Sequence, residues 1–550
     1  MDVPNLSPSF FFANSSKLET RVGNQRHHEN RNAMDFIRNL IKKLLRKRSL
    51  DDLLAEAEQG IQLKRILDTR QLTFIGIGAI IGTGIFVLLG QVAKDTAGPA
   101  VILSFVFAGL LCVFAALCYA EFASMAPVEG SAYTYGYCTL GEFFAWIIAW
   151  DLVLEYAVAA SAVAHGWSHY FQDFMGQIAG WTGLPLVVPK KFGEAPLSYD
   201  PEIGEILPNG NYCDLPAIMI VFILTIFLVR GIQESARINN LMVYLKLIVV
   251  ALVIVVGFFY INPENWQPFA PYGYGGFAFF GETIWGQSDA GGKPLGALAG
   301  AAIIFFAFVG FDSVSALSAE ASEPERDVPR AIIYSLLICT VLYIMVGGVL
   351  TGMVNYKDLD VGAPVSDAFG QVGLPKMQFL ISIGAIAGMT SVMLVMMLTQ
   401  PRILLALARD GLIPKWPFGV IHETWRTPWI SSLITGIFVA ILAGSLPLSI
   451  LADLVSIGTL LAFAIVCSAV LIMRYSDPDA KRPFKTPLFP FVPIAGIIGC
   501  LILMFSLSRD NWIRLLVWLS VGMVIYFSYG FRNSKEGKRI AEMELGGESN

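Results

Sequence analysis

The sequence has 550 residues, of which 55% are hydrophobic and only 15% are charged, and its mean hydropathy is +0.62. Soluble domains carry about 25% charged residues, so this composition excludes an ordinary soluble protein and indicates an integral membrane protein. The formal net charge of −5 is small and gives no reason to expect a nucleic-acid partner. The seven cysteines are scattered, and no catalytic triad, metal-ligand spacing or phosphate-binding loop is visible, so neither an enzyme nor a metal or other cofactor is expected.

The N-terminal 70 residues are polar and fall into two parts. Residues 1–33 are irregular and are predicted to be a disordered cytoplasmic terminus. Residues 34–70 start a helical pattern in which the stretch FIRNLIKKLLRKR alternates apolar and basic side chains. A basic amphipathic helix of this kind suits the anionic cytoplasmic leaflet of a membrane. A solvated basic arm fits the same residues, and the sequence leaves both interpretations open.

Twelve apolar runs follow, and each is long and apolar enough to predict a membrane-spanning helix. They lie near 72–91, 98–125, 141–172, 213–230, 238–261, 297–319, 330–354, 376–408, 430–446, 449–474, 491–508 and 513–531. Most of the 38 lysines and arginines lie on the side that holds both termini, so the positive-inside rule places the N terminus and the tail at 532–550 in the cytoplasm. We therefore predict a multi-pass protein of the plasma (inner) membrane. Its two long outer loops lie at about 173–212 and 262–296.

The first run, LTFIGIGAIIGTGIFVLLG at 72–90, is interrupted by Gly82-Thr83-Gly84. Each interior glycine destabilises a helix by roughly 0.8–1 kcal/mol relative to alanine. A helix opened here leaves backbone N–H and C=O groups unpaired, and inside a bilayer such groups persist only beside a cavity or a ligand. Gly78 and Gly82 also form a GxxxG pattern for close packing, so a continuous helix is the alternative.

The sixth run has the same kind of interruption, five runs later. It reads AAIIFFAFVGFDSVSALSAE and holds Gly310 and Asp312 near its centre. An odd number of spans per unit places the second copy upside down. Matched interruptions in two halves are typical of inverted-repeat transporters, whose substrate site lies at the repeat interface. A single kinked helix with an isolated functional acid is the alternative.

Five stretches of the chain resemble one family of transporters. They are LLAEAEQGIQLKRIL before the first run, IGIGAIIGTGIF within it, ALCYAEFASMAPVEGSAYTY at the end of the second, FFAFVGFDSVSALSAEASEPERDVPRAI from the sixth into the seventh, and QPRILLALARDGLIPKW at the end of the eighth. Over roughly 50–530 the chain resembles the amino acid–polyamine–organocation (APC) superfamily. Within it, the chain is similar to the bacterial cationic-amino-acid-transporter-like permeases.

This resemblance implies both a fold and an activity. The fold is an all-α integral membrane protein of 12 transmembrane helices, in the five-plus-five inverted-repeat (LeuT-like) arrangement with discontinuous helices 1 and 6. The first repeat is expected at 72–261, the second at 297–474, and the additional helices 11 and 12 at 491–531. The activity is import or exchange of L-amino acids, and the resemblance is to members that work without an obligatory partner subunit.

A zwitterionic amino acid needs two partners of opposite polarity. The N–H groups at Thr83 and Gly84 suit the carboxylate, because a helix N terminus carries partial positive charge. Backbone carbonyls beside the two interruptions suit the ammonium group. The predicted substrate-binding residues are Ile80, Ile81, Gly82, Thr83, Gly84, Phe306, Phe308, Val309, Asp312 and Met389.

Four of these residues are predicted for reasons of their own. Phe306 and Phe308 are candidates for an aromatic lid over the substrate. Asp312 is interpreted either as a ligand for a cationic group or as a cap for exposed N–H groups. Met389 rests on the family resemblance alone.

Lys246 and Glu155 are the residues predicted to couple transport to protons. A lysine inside a membrane is unfavourable by about 2.5–3.5 kcal/mol on insertion scales, which makes it a functional hypothesis by default. The resemblance implies that its ammonium group replaces a sodium ion near the interruption of helix 1. Glu155 is predicted to be its acidic partner or a proton relay, and Asp151, one helical turn earlier, is the alternative.

The main prediction is therefore a secondary active transporter of neutral or cationic L-amino acids that is coupled to protons. An exchanger and a sodium-coupled symporter of the same fold are alternatives, although an ammonium group at Lys246 would repel sodium. A membrane sensor that binds amino acids without moving them is a rival of a different class.

Two histidines, His165 and His169, lie one helical turn apart. No carboxylate or cysteine nearby in the sequence completes a metal site, so packing near the end of a span is the prediction.

The cytoplasmic ends of two runs carry several charged residues. Arg402, Arg409 and Asp410 follow the eighth run, and Glu320 and Arg326 follow the sixth. They either form salt bridges of an inner gate or are the ordinary basic charge of cytoplasmic loops.

Overall fold

A computed structural model describes residues 43–49, 67–125, 131–200, 205–230, 235–280, 282–289, 292–318 and 321–547. The predicted disordered terminus at 1–33 and most of the predicted amphipathic segment at 34–70 lie outside these residues. The described chain is mostly helical, and a helix coincides with each of the twelve apolar runs. By length and composition, eight helical stretches among the described residues can cross a membrane, and three shorter apolar helices accompany them.

The first run is interrupted, as its glycines predict. Helix α1, Thr69–Ile80, begins with a capping box in which the Asp68 side chain accepts a hydrogen bond from the Gln71 N–H, 2.7 Å away. It ends where Ile81 takes an extended conformation, with ψ at 99°. Helical turns resume at Thr83 and continue through a π-helical turn, Gly84–Leu88. The break therefore lies at positions 81–82, slightly before the centre of the predicted interruption.

The remainder of the first five runs forms long helices. After α2 (Leu89–Val92) the chain turns through Ala93–Ala97 and Gly98–Ala100 and continues into α3 (Val101–Met125), α4 (Ser131–Thr139), α5 (Glu142–Thr182), α6 (Leu215–Arg230) and α7 (Ser235–Phe258). Helix α5 lies at the centre of the molecule, because 89% of its most apolar stretch is buried inside the protein.

The second half of the chain starts with the other interrupted run. Helix α8, Ala297–Ile304, is followed by a 3₁₀ turn, Phe305–Phe308, and the short helix α9, Ser313–Ala316. Further helices are α10 (Pro324–Met353), α11 (Pro364–Gln371), α12 (Pro375–Arg409), α13 (Lys415–Phe418), α14 (Trp429–Ser445), α15 (Leu448–Ser476), α16 (Phe491–Ser506), α17 (Arg509–Ile525), α18 (Phe531–Asn533) and α19 (Lys535–Gly547). Helix α5 packs against α12, α14 and α15, and α10 packs against α1 and α3.

The two long loops predicted on the outer side contain strands, so the prediction of an all-α protein was incomplete. Three antiparallel pairs join β1 (Leu197–Asp200) to β2 (Glu205–Pro208), β3 (Phe277–Phe279) to β4 (Glu282–Trp285), and β5 (Gln287–Ser288) to β6 (Pro294–Leu295). Each strand has only two to four residues. An alternating apolar pattern cannot be recognised over so short a length.

The two interrupted runs cross at their breaks with backbone in contact with backbone. A Cβ atom added to Gly84 would overlap both Cα and Cβ of Ala307 in the second break. Gly310 makes the reciprocal contact, because an added Cβ would lie 2.8 Å from the carbonyl oxygen of Ala79. Gly310 also has a φ angle of +118°, a backbone conformation that is unfavourable for any residue with a Cβ atom. Each break therefore places a glycine against an alanine of the other.

This crossing predicts that Gly84→Ala destabilises the protein. Overpacking a close contact costs about 1–3 kcal/mol, and here the obstructing atoms include backbone that cannot rotate away. We expect a lower Tm in thermal unfolding of the detergent-purified protein. Gly176→Ala in α5 is the matched control, because its added Cβ would meet no atom within 4 Å. Equal Tm values for the two variants would contradict the crossing.

Candidate functional site

The ammonium group of Lys246 lies at the break of the first run, at the end of α1. The side chain extends from α7 and is fully buried. Its Nζ donates to the carbonyl oxygens of Gly78 and Ile81, the latter at 3.0 Å, and lies 3.1 Å from Oγ of Ser391 in α12. Neutral oxygens therefore surround the ammonium group, and no ion pair with a carboxylate is seen among the described residues.

Tyr343 of α10 joins the two breaks. Its hydroxyl lies 2.9 Å from the carbonyl oxygen of Ile80 and 2.8 Å from that of Ala307. A hydroxyl has one proton to donate, so the two carbonyls share a single donor. Each carbonyl oxygen keeps a second lone pair with which it can accept from another group. Sequence reasoning missed Tyr343, although a tyrosine in the middle of an apolar run was a usable signal.

The second half of helix 1 begins beside α5. Thr83 is fully buried, and its Oγ1 has no hydrogen-bond partner in the described part of the chain. Gly166 of α5 allows this approach, since an added Cβ would lie 2.6 Å from Thr83 Cγ2. One turn further along α5, the hydroxyl of Tyr170 donates to the carbonyl oxygen of Phe86 at 2.7 Å. The start of the second half of the first run, at Thr83 and Gly84, thus packs directly against α5.

Asp312 lies between the 3₁₀ turn at Phe305–Phe308 and α9, just after the break of the sixth run, and is buried. One carboxylate oxygen accepts a hydrogen bond from the hydroxyl of Tyr156 in α5. The other, Oδ1, has no partner among the described residues. The side chain forms no capping hydrogen bond at the start of α9, but the backbone N–H groups of Gly310 and Ser313 lie close enough to interact with the carboxylate, so capping and ligand binding both stay predictions. The geometry leaves Asp312 with one oxygen available to a ligand.

Glu155 does not pair with Lys246 as predicted. Both of its carboxylate oxygens are buried without a hydrogen-bond partner in the described chain. It interacts electrostatically with Asp312 and with Asp151, whose oxygens are also unpartnered. Three carboxyl groups are therefore close together, and the lysine stands apart from them. The role of Glu155 as a proton relay stays a prediction.

The remaining predicted site residues lie close to these groups. Phe308 is fully buried, with its ring centroid 6.3 Å from that of Phe105 and 5.3 Å from that of Tyr343. Phe306 is buried, and its carbonyl accepts from the Val309 N–H at 3.1 Å. The packing of Phe308 between two rings suits a structural side chain better than a lid.

Helix α12 contributes one face of the site. Met389 is fully buried. The next residue, Thr390, accepts a hydrogen bond from Nε1 of Trp167 at 3.0 Å, and Ser391 contacts Lys246. Gly82 of the first break faces the same helix, since an added Cβ would lie 3.2 Å from Val392.

The histidine pair has a carboxylate that the sequence did not reveal. Nδ1 of His165 lies 3.0 Å from Oδ2 of Asp214, at the start of α6, and its Nε2 lies 3.1 Å from Nε2 of His169. Ser168 donates to the same aspartate. Asp214 thus contacts the pair from a distant part of the sequence, but this contact does not make a metal site. No group of three potential metal ligands is found in the described residues, which leaves a buried hydrogen-bond network.

The charged residues predicted for the cytoplasmic ends of two runs divide into two kinds. Arg402 and Arg409 are exposed, which fits ordinary loop charge. Arg326 forms an exposed ion pair with Glu323 at 3.1 Å. Glu320 lies outside the described residues. Asp410 differs from these exposed residues, because it accepts a hydrogen bond from Tyr133 and forms an ion pair with Arg48.

Comparison with known proteins shows that the sequence of this chain is similar to those of transporters. The family described as amino acid permease matches residues 67–526. The branched-chain amino acid permease BcaP of Bacillus subtilis is 44% identical over 493 residues, covering 90% of this chain and 98% of that protein. The methylthioribose transporter of the same organism is 42% identical over 494 residues, covering 90% and 99% of the two chains. Cationic amino acid transporter 4 of Mus musculus is 30% identical over 603 residues, covering 88% and 90%.

The position of Tyr343 predicts that Tyr343→Phe destabilises the protein. Removing the hydroxyl leaves two buried carbonyls without their shared donor, and an unsatisfied buried group costs about 1–3 kcal/mol. We expect a lower Tm in detergent. Tyr334→Phe is the matched control on the same helix, since the ring of Tyr334 is 49% exposed. If both variants melt at the temperature of the parent protein, the hydroxyl does not hold the two breaks together.

Proposed function

Because this chain belongs to the amino acid permease family, we propose that it is a secondary active transporter of L-amino acids that works by alternating access and is coupled to protons. Among its relatives are a branched-chain amino acid permease and cationic amino acid transporters. The single observation that carries the coupling part of the proposal is the coordination of Lys246 by neutral oxygens at the break of helix 1.

The proposed fold has 12 transmembrane helices in two inverted repeats of five, with two further helices at 491–531. Support comes from the helices at all twelve apolar runs and from the two breaks, which lie five runs apart and touch each other. In this arrangement the first repeat covers 72–261 and the second covers 297–474. Both termini face the cytoplasm and the protein resides in the plasma membrane, as the distribution of basic residues favours.

The proposed site binds the zwitterionic part of an amino acid through backbone. The N–H groups at Thr83 and Gly84 receive the carboxylate at a helix N terminus. Carbonyls beside the breaks receive the ammonium, and those of Ile80 and Ile81 retain one lone pair each after contacting Tyr343 and Lys246. Gly82 provides room within the break. Such recognition does not depend on the substrate side chain.

The second break and α12 are proposed to surround the substrate side chain. Phe306 is the preferred lid residue, because Phe308 is already packed between two rings. Val309 and Met389 add apolar surface. The free oxygen of Asp312 suits an ammonium or guanidinium group, so neutral and cationic side chains are both compatible with the site.

Coupling is proposed to depend on whether Lys246 carries a proton. Its ammonium group occupies a set of oxygens that would otherwise suit a small cation, and loss of a proton would remove the charge and one of its three N–H donors, which weakens its contacts with the carbonyls of Gly78 and Ile81. Proton binding and the shape of the break are then linked. A sodium symporter is disfavoured, because a positive charge already occupies this position. Glu155 is proposed as a relay, supported by its two unpartnered oxygens.

Transport by purified protein in proteoliposomes tests this proposal. Labelled leucine, alanine and arginine are supplied under an imposed proton gradient, under a sodium gradient, and with no gradient but amino acid preloaded inside. Methylthioribose is added as a competitor, because one relative is named for it. We expect accumulation of at least one amino acid to follow the proton gradient.

Lys246→Met is predicted to abolish accumulation driven by the proton gradient, because the site then has no group to protonate. Lys376→Met, which removes an exposed lysine at the start of α12, is the control and should transport normally. Uptake that requires sodium, or proton-driven uptake that survives Lys246→Met, would disprove the coupling role. Uptake that needs only preloaded amino acid would identify an exchanger, and binding without flux would identify a sensor.

A further inference from the structure

The basic segment at 43–49 docks on protein rather than presenting all of its charge to lipid. Arg46 is buried, and its guanidinium pairs with the carboxylate of Glu142 at the start of α5, with Nε 2.7 Å from Oε2. The backbones of the two residues are also hydrogen-bonded, since the Glu142 N–H donates to the carbonyl oxygen of Arg46 at 2.9 Å. Lys43 and Lys47 of the same segment are exposed. Alternate basic residues thus face the protein and the solvent.

Arg48 makes a second contact of the same kind. Its Nη1 lies 3.3 Å from Oδ1 of Asp410, the residue that follows α12. Its backbone N–H donates to the carbonyl oxygen of Tyr137 in α4 at 3.4 Å. Both side chains of the ion pair are 16% exposed, so the pair is largely shielded from water.

Helix α4 uses the same two carboxylates. The hydroxyl of Tyr133 donates to Asp410 at 2.6 Å, and that of Tyr137 donates to Glu142 at 2.6 Å. The two tyrosines lie four residues apart and therefore share one face of the helix. Each acid accepts from one arginine of the segment and one tyrosine of α4, so the two acids connect the segment to this helix at two points.

The C-terminal part of the chain completes these contacts. Tyr526 and Ser534 both donate to Glu142, the former at 3.1 Å. The Lys535 N–H donates to the backbone carbonyl of Asp410 at 3.0 Å. Glu142 is consequently buried with its charge fully surrounded by donors, which is the condition under which a buried ion pair is tolerated.

Helix α4 also contacts the chain next to the break of the sixth run. It packs against α9, the short helix that follows Asp312. The ring of Tyr135 stacks on Phe122 of α3, and its hydroxyl lies beside Ser315 of α9. A displacement of α4 would therefore change the packing around α9, next to the second break.

We propose that residues 43–49 form a cytoplasmic latch, in which Arg46 and Arg48 hold α4 closed over the site through Glu142 and Asp410. The latch must open before substrate can leave to the cytoplasm. Arg46 and Arg48 are thus positioning residues of the inner gate, and they act through α4. This inference rests on the transport cycle proposed above.

The native Cys138 reports directly on the latch. It lies in α4 next to Tyr137, and its thiol is free and half-buried. Burial raises the pKa of the Cys138 thiol to about 12, and the positive charge of Arg48 opposes that rise. Only the thiolate reacts with a maleimide, so labelling of the closed protein is expected to be slow. Loss of the Arg48 charge alone would raise the pKa further and slow labelling, so faster labelling requires exposure.

The experiment measures labelling of Cys138 by a membrane-impermeant maleimide in inside-out vesicles containing the full chain. We expect Arg48→Ala to speed labelling roughly two- to fivefold, the range of a weakly exposed ion pair. Lys47→Ala removes the same charge from the neighbouring exposed position and should leave the rate unchanged. Arg48→Lys keeps the charge and should restore a slow rate. Labelling of Arg48→Ala at the rate of Lys47→Ala would overturn the latch.

Tyr133→Phe tests the same contact from the other side. It removes the hydrogen bond from α4 to Asp410 without changing any charge, and we expect faster labelling of Cys138 here too. If Arg48→Ala fails to fold, an unchanged rate in Tyr133→Phe overturns the proposal. Labelling needs no transported substrate. Failure of amino acid uptake in the parent protein would therefore count against the proposed function, whereas the labelling rates alone test the latch.

Discussion

The contact between two broken helices is the constraint on which the rest of the site depends. Gly84 lies against Ala307 and Gly310 lies against Ala79, so the two backbones meet without intervening side chains. Backbone this close, and broken at this point, leaves carbonyl groups that no helix can satisfy. Tyr343 and Lys246 meet them from the two neighbouring helices α10 and α7. The glycines therefore determine where donors are needed, and the surrounding helices supply them.

Charge inside the protein is distributed unevenly around this crossing. The ammonium of Lys246 is surrounded by neutral oxygens, whereas Asp151 and Asp312 both interact electrostatically with Glu155. Buried charge without a counter-charge is unfavourable unless a proton or a ligand neutralises it. The proposed proton coupling needs groups whose charge state can change during the cycle, and these four side chains are its candidates. The proposed role of Lys246 and the acidic group follow from the same imbalance.

The N-terminal segment indicates that the basic residues of a membrane protein can serve in more than orientation. By the positive-inside rule, basic residues of this segment favour the proposed cytoplasmic location of the terminus. In the structure, Arg46 and Arg48 also bind two acids that belong to α5 and to the end of α12. The same positive charge can thus orient the chain during insertion and hold elements together afterwards. The proposed latch extends this second use to the transport cycle.

The sequence by itself determined the membrane class, the positions of the helices and the two interruptions, because apolar run length, glycine clusters and basic residues act locally along the chain. It did not reveal the short outer strands or the contacts between distant segments. Tyr343 and Ile80 are 263 residues apart, and Arg46 and Glu142 are 96 apart. Asp214 reaches His165 only because α6 begins beside α5. Lys246 was expected to meet Glu155, yet the tertiary structure sends it to backbone carbonyls instead. Which polar groups pair in the interior depends on how the helices pack, and one linear pattern of apolar runs is compatible with many such pairings.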